Sequence, residues 1–263
     1  MKRNLSLLLI LLFFIPSLAC RSFTTSSVSG SGNIETQMID VSNFDRVTLE
    51  GFGDVYIEQK QTYSLSVQTD DNLIPLLDIQ VRSNELRLAI KQGVEVHPTQ
   101  SITYNITVPE LNSVTLSGSG NFYLEPVKSS NLTVSMPGSG NIDIKGVNAG
   151  NLSIDLNGSG NITIGDINAK TVDVSLKGSG DIKLGGNANT QNVTIDGSGN
   201  YLAGSLQTNT ADVSVPGSAD VTVWVNDELK IRVNGSGDIQ YYGKPIVDQN
   251  VSGSGNITSL GKK

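Results

Sequence analysis

The sequence predicts an all-β fold, a single-domain parallel β-helix whose coils are about 20 residues long. The main observation is a four-residue phrase, Gly-Ser-Gly followed by Asn or Asp, that returns at nearly constant intervals. Apolar and polar residues alternate between its copies, as in strands with one buried face. The chain also has 28 Gly and only 5% aromatic residues, which suits tight turns around an aliphatic core. The copies begin at Gly30, Gly118, Gly138, Gly158, Gly178, Gly197, Gly235 and Gly253.

The first 20 residues have the pattern of an export signal. Lys2 and Arg3 precede an apolar stretch, residues 5–15, and the segment ends in Ser17-Leu18-Ala19-Cys20. This arrangement resembles a bacterial lipoprotein signal, although Ser17 stands where that class most often has Leu. We therefore expect Cys20, the single cysteine, to be a lipid anchor to a membrane. Plain cleavage and an uncleaved anchor are the alternatives.

The rest of the chain divides by composition and period. Residues 21–29 are rich in Ser and Thr and predict a short tether. The β-helix is expected over residues 30–260, and residues 261–263 form a basic tail. Residues 51–117 break the period, and we interpret them as irregular, longer coils of the same solenoid. A small separate β-sandwich is the alternative.

One repeat, residues 138–156, shows how a coil is expected to form. Two alternating strands are separated by the Gly-Ser-Gly-Asn corner and by a second turn at residues 148–151. One face of each strand points inward and the other outward. The inward residues are Ile142, Ile144, Leu152, Ile154 and Leu156; the outward ones are Asp143, Lys145, Ser153 and Asp155.

The corner phrase predicts ladders of identical side chains along the solenoid. Glycine suits a sharp corner because it tolerates positive φ, with Asn or Asp next best. Stacked corners place serine over serine and asparagine over asparagine, where amides can hydrogen-bond. The expected ladder residues are Ser119, Ser139, Ser159, Ser179, Asn121, Asn141 and Asn161. Calcium binding by the corner acids is the alternative, but the period differs from that of calcium-binding β-rolls, so we expect no metal.

Repeated Gly-Ser-Gly-Asn-Ile within alternating strands resembles the bacterial head GIN domain family, described as "putative auto-transporter adhesins". The copies stand at residues 30–34, 138–142, 158–162 and 253–257. The resemblance spans roughly residues 30–260 and implies a parallel β-helix at the cell surface. The long alternating segments of a translocating barrel do not follow the repeats, so auto-transport is not supported.

Charge and residue types argue against several function classes. Without residues 1–20, which include Lys2 and Arg3, 16 basic and 25 acidic residues remain, so we expect no nucleic-acid partner. His97, the single histidine, is expected in a loop and excludes a histidine-based triad. No cofactor motif is present, and the outer carboxylates look like solubilising charges. A polysaccharide lyase or hydrolase is therefore the less favoured alternative.

The candidate binding residues are Trp224 and Tyr242, which fall at corresponding places of successive coils. Val223 and Val225 should point inward, so the indole should point outward with Tyr242 beside it. Exposed aromatic faces stack on sugar rings or anchor proteins. The alternative is an aromatic pair that covers a C-terminal coil or a dimer contact. Tyr56 and Tyr123 also point outward, but as isolated tyrosines they suggest no function.

These observations predict an exported, non-catalytic protein of the cell envelope. It is expected to bind a surface glycan or protein in adhesion. A structural scaffold that self-associates end to end is the alternative.

Overall fold

The computed structural model describes residues 26–263, which form 20 strands and one short 3₁₀ helix, Ile74–Leu76. The predicted all-β parallel β-helix is confirmed, with about seven turns of roughly 20 residues. The first ten strands are β1 (Ser26–Ser29), β2 (Ile34–Ile39), β3 (Arg46–Leu49), β4 (Asp54–Gln59), β5 (Ser64–Asp70), β6 (Leu77–Arg82), β7 (Glu85–Ile90), β8 (Val94–His97), β9 (Thr103–Val108) and β10 (Ser113–Leu116). The others are β11 (Asn121–Leu124), β12 (Val127–Met136), β13 (Asn141–Leu156), β14 (Asn161–Leu176), β15 (Ile182–Ile195), β16 (Tyr201–Val215), β17 (Val221–Val233), β18 (Ile239–Tyr242), β19 (Ile246–Val251) and β20 (Ile257–Gly261).

Long strands β13 to β17 each form almost a complete coil. They pair in parallel, and β13 and β14 align residue for residue from Asn141↔Asn161 to Leu156↔Leu176. The turn expected at residues 148–151 is wrong, because strand β13 runs through it. Alternation breaks at Gly146 and Val147, which are both buried. The chain therefore bends at these two residues. The pairing of β13 with β14 continues through the bend, with Gly146 opposite Asp166 and Val147 opposite Ile167.

From Gly118 onward, the glycines of the corner phrase are required by close approach between coils, and not by the positive φ that we expected. In the first copy of the phrase, Gly32 does have positive φ, 86°. None of the phrase glycines from Gly118 onward has positive φ. A Cβ on Gly158 would lie 1.6 Å from the carbonyl oxygen of Gly138, and one on Gly160 only 1.5 Å from that of Gly140. Real Cβ atoms essentially never approach within 3.0 Å. The backbones of adjacent coils therefore lie too close together at these corners to leave room for a side chain.

Residues 51–117 continue both faces of the solenoid, but not in chain order. Strand β3 lies between β7 and β10 on one face, and β4 lies between β9 and β11 on the other, all in parallel. Three antiparallel pairs, β2 with β5, β5 with β9 and β6 with β7, complete this end. Their buried side chains belong to the same hydrophobic cluster as those of the coils.

Residues 26–29, which were expected in the tether, form strand β1 and pair in parallel with β8. The adjoining corner is held by Asp70, which is fully buried. Its carboxylate accepts hydrogen bonds from the Gly32 amide at 2.7 Å and from the Thr99 amide and hydroxyl at 2.8 Å. Burial raises the pKa of Asp70, but these hydrogen bonds outweigh it and hold the pKa below its usual value.

The interior of the solenoid is filled by aliphatic ladders and a few aromatic rings, among them Phe122 and Tyr201. One buried polar chain crosses it. The Tyr201 hydroxyl donates to Gln191 Oε1 at 3.1 Å, and Gln191 Nε2 donates to Thr208 Oγ1 at 2.8 Å. Thr208 Oγ1 in turn donates to the Trp224 carbonyl at 3.0 Å. Each of these polar groups is therefore paired, which makes their burial tolerable.

Candidate functional site

The corner ladder is a continuous chain of hydrogen bonds along the solenoid, each accepted by a side-chain oxygen of the preceding coil and donated by a side-chain or backbone amide. Asn121 Nδ2 donates to Asp54 at 2.8 Å, Asn141 Nδ2 to Asn121 at 3.1 Å, and Asn161 Nδ2 to Asn141 at 3.2 Å. Ladder members at later coils include Asp181 and Asn200. Because these amides and carboxylates bind one another, the ladder holds the coils in register and leaves few groups for a ligand.

The predicted serine ladder runs beside the asparagine ladder. The side chains of Ser119, Ser139, Ser159 and Ser179 are exposed. Their backbone amides donate to corner carbonyls of the preceding coil at 3.0 to 3.3 Å. The serines thus contribute to stacking through the backbone. Among residues 26–263, no group of three or more His, Cys, Asp or Glu is placed to hold a metal ion.

Trp224 and Tyr242 lie on neighbouring strands, β17 and β18, and are paired in register. Val223 and Val225 are fully buried, so the indole lies on the outer face and is half-buried there, as is Tyr242. Lys263 lies across both rings, with its Nζ 5.3 Å from the Trp224 ring centre and 5.0 Å from that of Tyr242. The structure therefore brings Trp224 and Tyr242 together, but the Lys263 ammonium group of the same chain covers both rings.

A second aromatic pair, Tyr56 and Tyr123, is more exposed. The residues are register partners on strands β4 and β11. Their ring centres are 5.0 Å apart and the ring planes differ by 20°, which is a stacked arrangement. Tyr56 is 44% exposed and Tyr123 is 38% exposed. The interpretation of these residues as isolated tyrosines is therefore wrong.

The tyrosine stack lies in a groove of about 550 Å³ on the outer face of the sheet. One transverse row of side chains runs from Asp143 through Tyr123 and Tyr56 to Asn105 and Ser66. A second row beside it carries charges. The polar residues that line this part of the groove are Lys145, Glu125, Glu58, Lys60, Thr107 and Ser64.

The charges in the groove are largely paired. Lys145 Nζ lies 2.5 Å from Glu125 Oε1, and Lys60 Nζ lies 2.7 Å from Glu58 Oε2. Asp143 is a groove-lining carboxylate of the tyrosine row. The groove thus joins an apolar stack to many donors and acceptors without a strong net charge. This combination suits a neutral, hydroxyl-rich ligand.

Tyr123 keeps its proton across the neutral range. Partial burial, followed by the charge of Asp54, the neighbouring Tyr56 and the charge of Asp143, raises the pKa of Tyr123 above its usual value. Its hydroxyl is therefore a hydrogen-bond donor as well as an acceptor.

The signal for the tyrosine pair was present in the sequence. Tyr56 stands two residues after Asp54 and Tyr123 two residues after Asn121, and these acidic and amide residues occupy the same corner position. The broken period between them concealed that the two coils are neighbours. In the fold, β4 and β11 are neighbouring strands of the sheet, although 67 residues separate Asp54 from Asn121 in the chain.

Two other residues singled out in the sequence are His97 and Cys20. His97 was expected in a loop, but it is the last residue of strand β8, where its Nε2 lies 3.6 Å from Glu95 Oε1. It is exposed. Cys20, the predicted lipid anchor, and the predicted export signal lie outside the described residues. Within the described part of the chain, no helix is both long and apolar enough to span a membrane.

Three solved structures are similar over most of their length. An adhesin described as "putative" from Parabacteroides merdae ATCC 43184 is 26% identical, with a TM-score of 0.85, and the match covers 89% of this chain and 99% of that one. A "putative lipid binding protein" from Parabacteroides distasonis ATCC 8503 is 30% identical, with a TM-score of 0.79, covering 89% and 100%. A "putative adhesin" from the same organism is 26% identical, with a TM-score of 0.80, covering 89% and 100%.

The search of curated proteins gives no match. A family does match, over residues 43–165 and 145–245, and these ranges together span most of the chain. It is described as "Putative auto-transporter adhesin, head GIN domain". Neither this family nor the similar structures carry the name of an enzyme. The two matched ranges, together with the stacked Gly-Ser-Gly corners, show that the chain belongs to the head GIN domain family.

Proposed function

We propose that this protein is an exported, non-catalytic adhesion protein of the cell envelope that binds a surface carbohydrate in the groove at Tyr56 and Tyr123. The observation that carries the proposal is the exposed stack of two tyrosine rings, flanked by hydrogen-bonding side chains on the outer face of the sheet. Family membership supports the adhesion role.

The groove has both properties that carbohydrate recognition needs. The tyrosine rings offer apolar surface to the C–H face of a sugar ring, and their hydroxyls can bond to it as well. Asn105, Ser66 and Asp143 lie in the same row and supply donors and acceptors for sugar hydroxyls. Because the two rings already pack against each other, little side-chain freedom is lost when the ligand binds.

Retention of polysaccharides tests this proposal. The purified protein is incubated with a panel of cell-wall and capsular polysaccharides, and both retention and new reducing or unsaturated ends are measured. Tyr56→Ala with Tyr123→Ala should reduce retention at least tenfold, since two stacking contacts of about 1 kcal/mol each are lost. Trp224→Ala is the matched control at the other end of the solenoid and should retain polysaccharide like the wild type.

The outcomes separate the remaining ligand classes. Loss of retention in Trp224→Ala alone would move the site to the predicted Trp224–Tyr242 pair. New chain ends would overturn the non-catalytic assignment. Phospholipid vesicles belong in the panel because one similar structure is described as a lipid binding protein, and binding to vesicles alone would contradict a carbohydrate ligand.

The lipid anchor is a separate part of the proposal. It rests on the cysteine at the end of the export signal, Cys20. Labelled palmitate should enter the wild type but not Cys20→Ala. Equal labelling of the two proteins would refute anchoring.

Self-association into an envelope scaffold is a second candidate, favoured by the open C-terminal coil. Strand β19 pairs only with β17, and β20 only with β18, within the described residues. Ile246 is 79% exposed, and Val251 and Leu260 are also exposed. Such an edge can pair with another strand. Sedimentation velocity should show concentration-dependent oligomers that Val251→Asp removes, and a single monomeric species at all concentrations would refute this candidate.

A further inference from the structure

The contact between Lys263 and the Trp224–Tyr242 pair has the chemistry of a built ammonium site. Both ring centres lie within the distance of about 6 Å at which a cation interacts with an aromatic face. The same Nζ donates to the Gly204 carbonyl oxygen at 2.5 Å and lies 3.4 Å from Ser205 Oγ. One ammonium group is thus held by two rings and two oxygens.

The Gly204 carbonyl is available because strand β16 bulges at this place. Its register with β17 jumps from Ala203↔Val223 to Gln207↔Trp224, so residues 204–206 have no register partner on β17. A bulge leaves backbone groups unpaired and reorients the neighbouring side chains. The Gly204 carbonyl therefore remains free to accept a hydrogen bond from an ammonium group.

Gly204 also makes room for the second ring. A Cβ at this position would lie 3.3 Å from Tyr242 Cε2 and 2.9 Å from Thr222 Cγ2. A larger residue would therefore push Tyr242 away from the bulge. The absence of a side chain lets the tyrosine, the tryptophan and the carbonyl surround the same point.

The site binds a cation without a carboxylate partner. The ion pairs of the described residues do not include Lys263. Aromatic rings and a carbonyl suit alkylammonium groups, whose charge is spread over apolar surface, better than small hydrated metal ions.

We infer that Trp224, Tyr242 and the Gly204 carbonyl form a binding site for an alkylammonium group of a ligand, and that Lys263 is its intramolecular occupant. A ligand must displace Lys263, so the ligand and the Lys263 ammonium group compete for the same site. This inference is independent of the tyrosine groove and stands or falls separately from the proposed carbohydrate site.

Trp224 fluorescence tests the inference directly, because Trp224 is the only tryptophan in the chain. The wild type and Lys263→Ala are titrated with tetramethylammonium chloride and with n-butylammonium chloride, each against sodium chloride at the same ionic strength. The first probe represents quaternary head groups and the second represents lysine-like primary amines. Lys262→Ala is the matched control, because it removes the neighbouring positive charge.

Lys263→Ala should give a saturable change in emission with at least one probe, at an apparent Kd roughly fivefold or more below that of the wild type. Lys262→Ala should resemble the wild type, and adding Tyr242→Ala to Lys263→Ala should abolish the response. Saturation by only one probe would identify the type of ammonium group and support the site. No saturable response in Lys263→Ala, or equal responses in the wild type and Lys263→Ala, would overturn the inference.

Discussion

Replacing Gly160, a buried corner residue, by alanine should destabilise the solenoid strongly, although it adds only a single methyl group. The new Cβ would lie 1.5 Å from the carbonyl oxygen of Gly140 and 2.7 Å from its carbonyl carbon. Carbon and oxygen atoms normally approach to about 3.3 Å. The two coils would therefore have to separate by roughly 1.8 Å at this corner, against a normal strand spacing of about 4.8 Å.

The cost follows from what this separation disrupts. Overpacking a closely packed site costs about 1–3 kcal/mol. The corner bond from the Ser159 amide to the Gly138 carbonyl, now 3.3 Å, and the Asn161–Asn141 ladder bond would also weaken, at about 1 kcal/mol each. We expect a total loss of about 3–5 kcal/mol in the free energy of unfolding, or a fall in Tm of roughly 10 °C.

Chemical denaturation followed by circular dichroism measures the effect. Ser159→Ala is the matched control, since this exposed side chain lies in the same corner and its removal should change stability by less than about 0.5 kcal/mol. Ala219 occupies the corresponding corner position of a later coil and is fully buried there, so the predicted cost applies to Gly160 and not to every coil. A Gly160→Ala protein as stable as Ser159→Ala would refute the close-approach explanation.

Two further stability predictions concern the buried polar groups. Gln191→Leu should cost about 1–3 kcal/mol in urea unfolding, because it leaves the Tyr201 hydroxyl buried without its acceptor; adding Tyr201→Phe should recover part of the loss, and no recovery would argue against the hydrogen bond as the cause. Asp70→Asn should lower the Tm at pH 6. Its hydrogen bonds hold the pKa of Asp70 below its usual value in the folded protein, so the stabilisation by the carboxylate is complete above the unfolded pKa and is lost as pH falls through the folded pKa. The Tm difference between the wild type and Asp70→Asn should therefore narrow below about pH 4, and a difference independent of pH would contradict the role assigned to the carboxylate.

The regular coils could be predicted from sequence because each residue of one coil lies over its equivalent in the next. Ile142, Ile144, Leu152, Ile154 and Leu156 are all buried as the alternation predicts. The asparagine ladder follows from the same periodicity. The role of the glycines could not be deduced in this way, because a close approach to the neighbouring backbone and a positive φ favour the same residue type.

The N-terminal end of the solenoid depends on pairings that sequence alone does not determine. β3 packs beside β7, which comes later in the chain, and β5 returns antiparallel to β9. Local alternation identifies such strands but says nothing about their order. For this reason the Tyr56–Tyr123 stack, which joins the irregular end to the first regular coil, was recognised only in the folded structure.

Nuclear magnetic resonance of the protein with labelled tyrosine rings tests the carbohydrate groove most directly. The spectrum is recorded with each member of the polysaccharide panel, and ring signals are assigned by Tyr→Phe substitution. The proposed function predicts saturable shifts for Tyr56 and Tyr123 with at least one polysaccharide, while the buried rings of Tyr104 and Tyr201 remain unchanged. Shifts absent from Tyr56 and Tyr123 with every polysaccharide would contradict it.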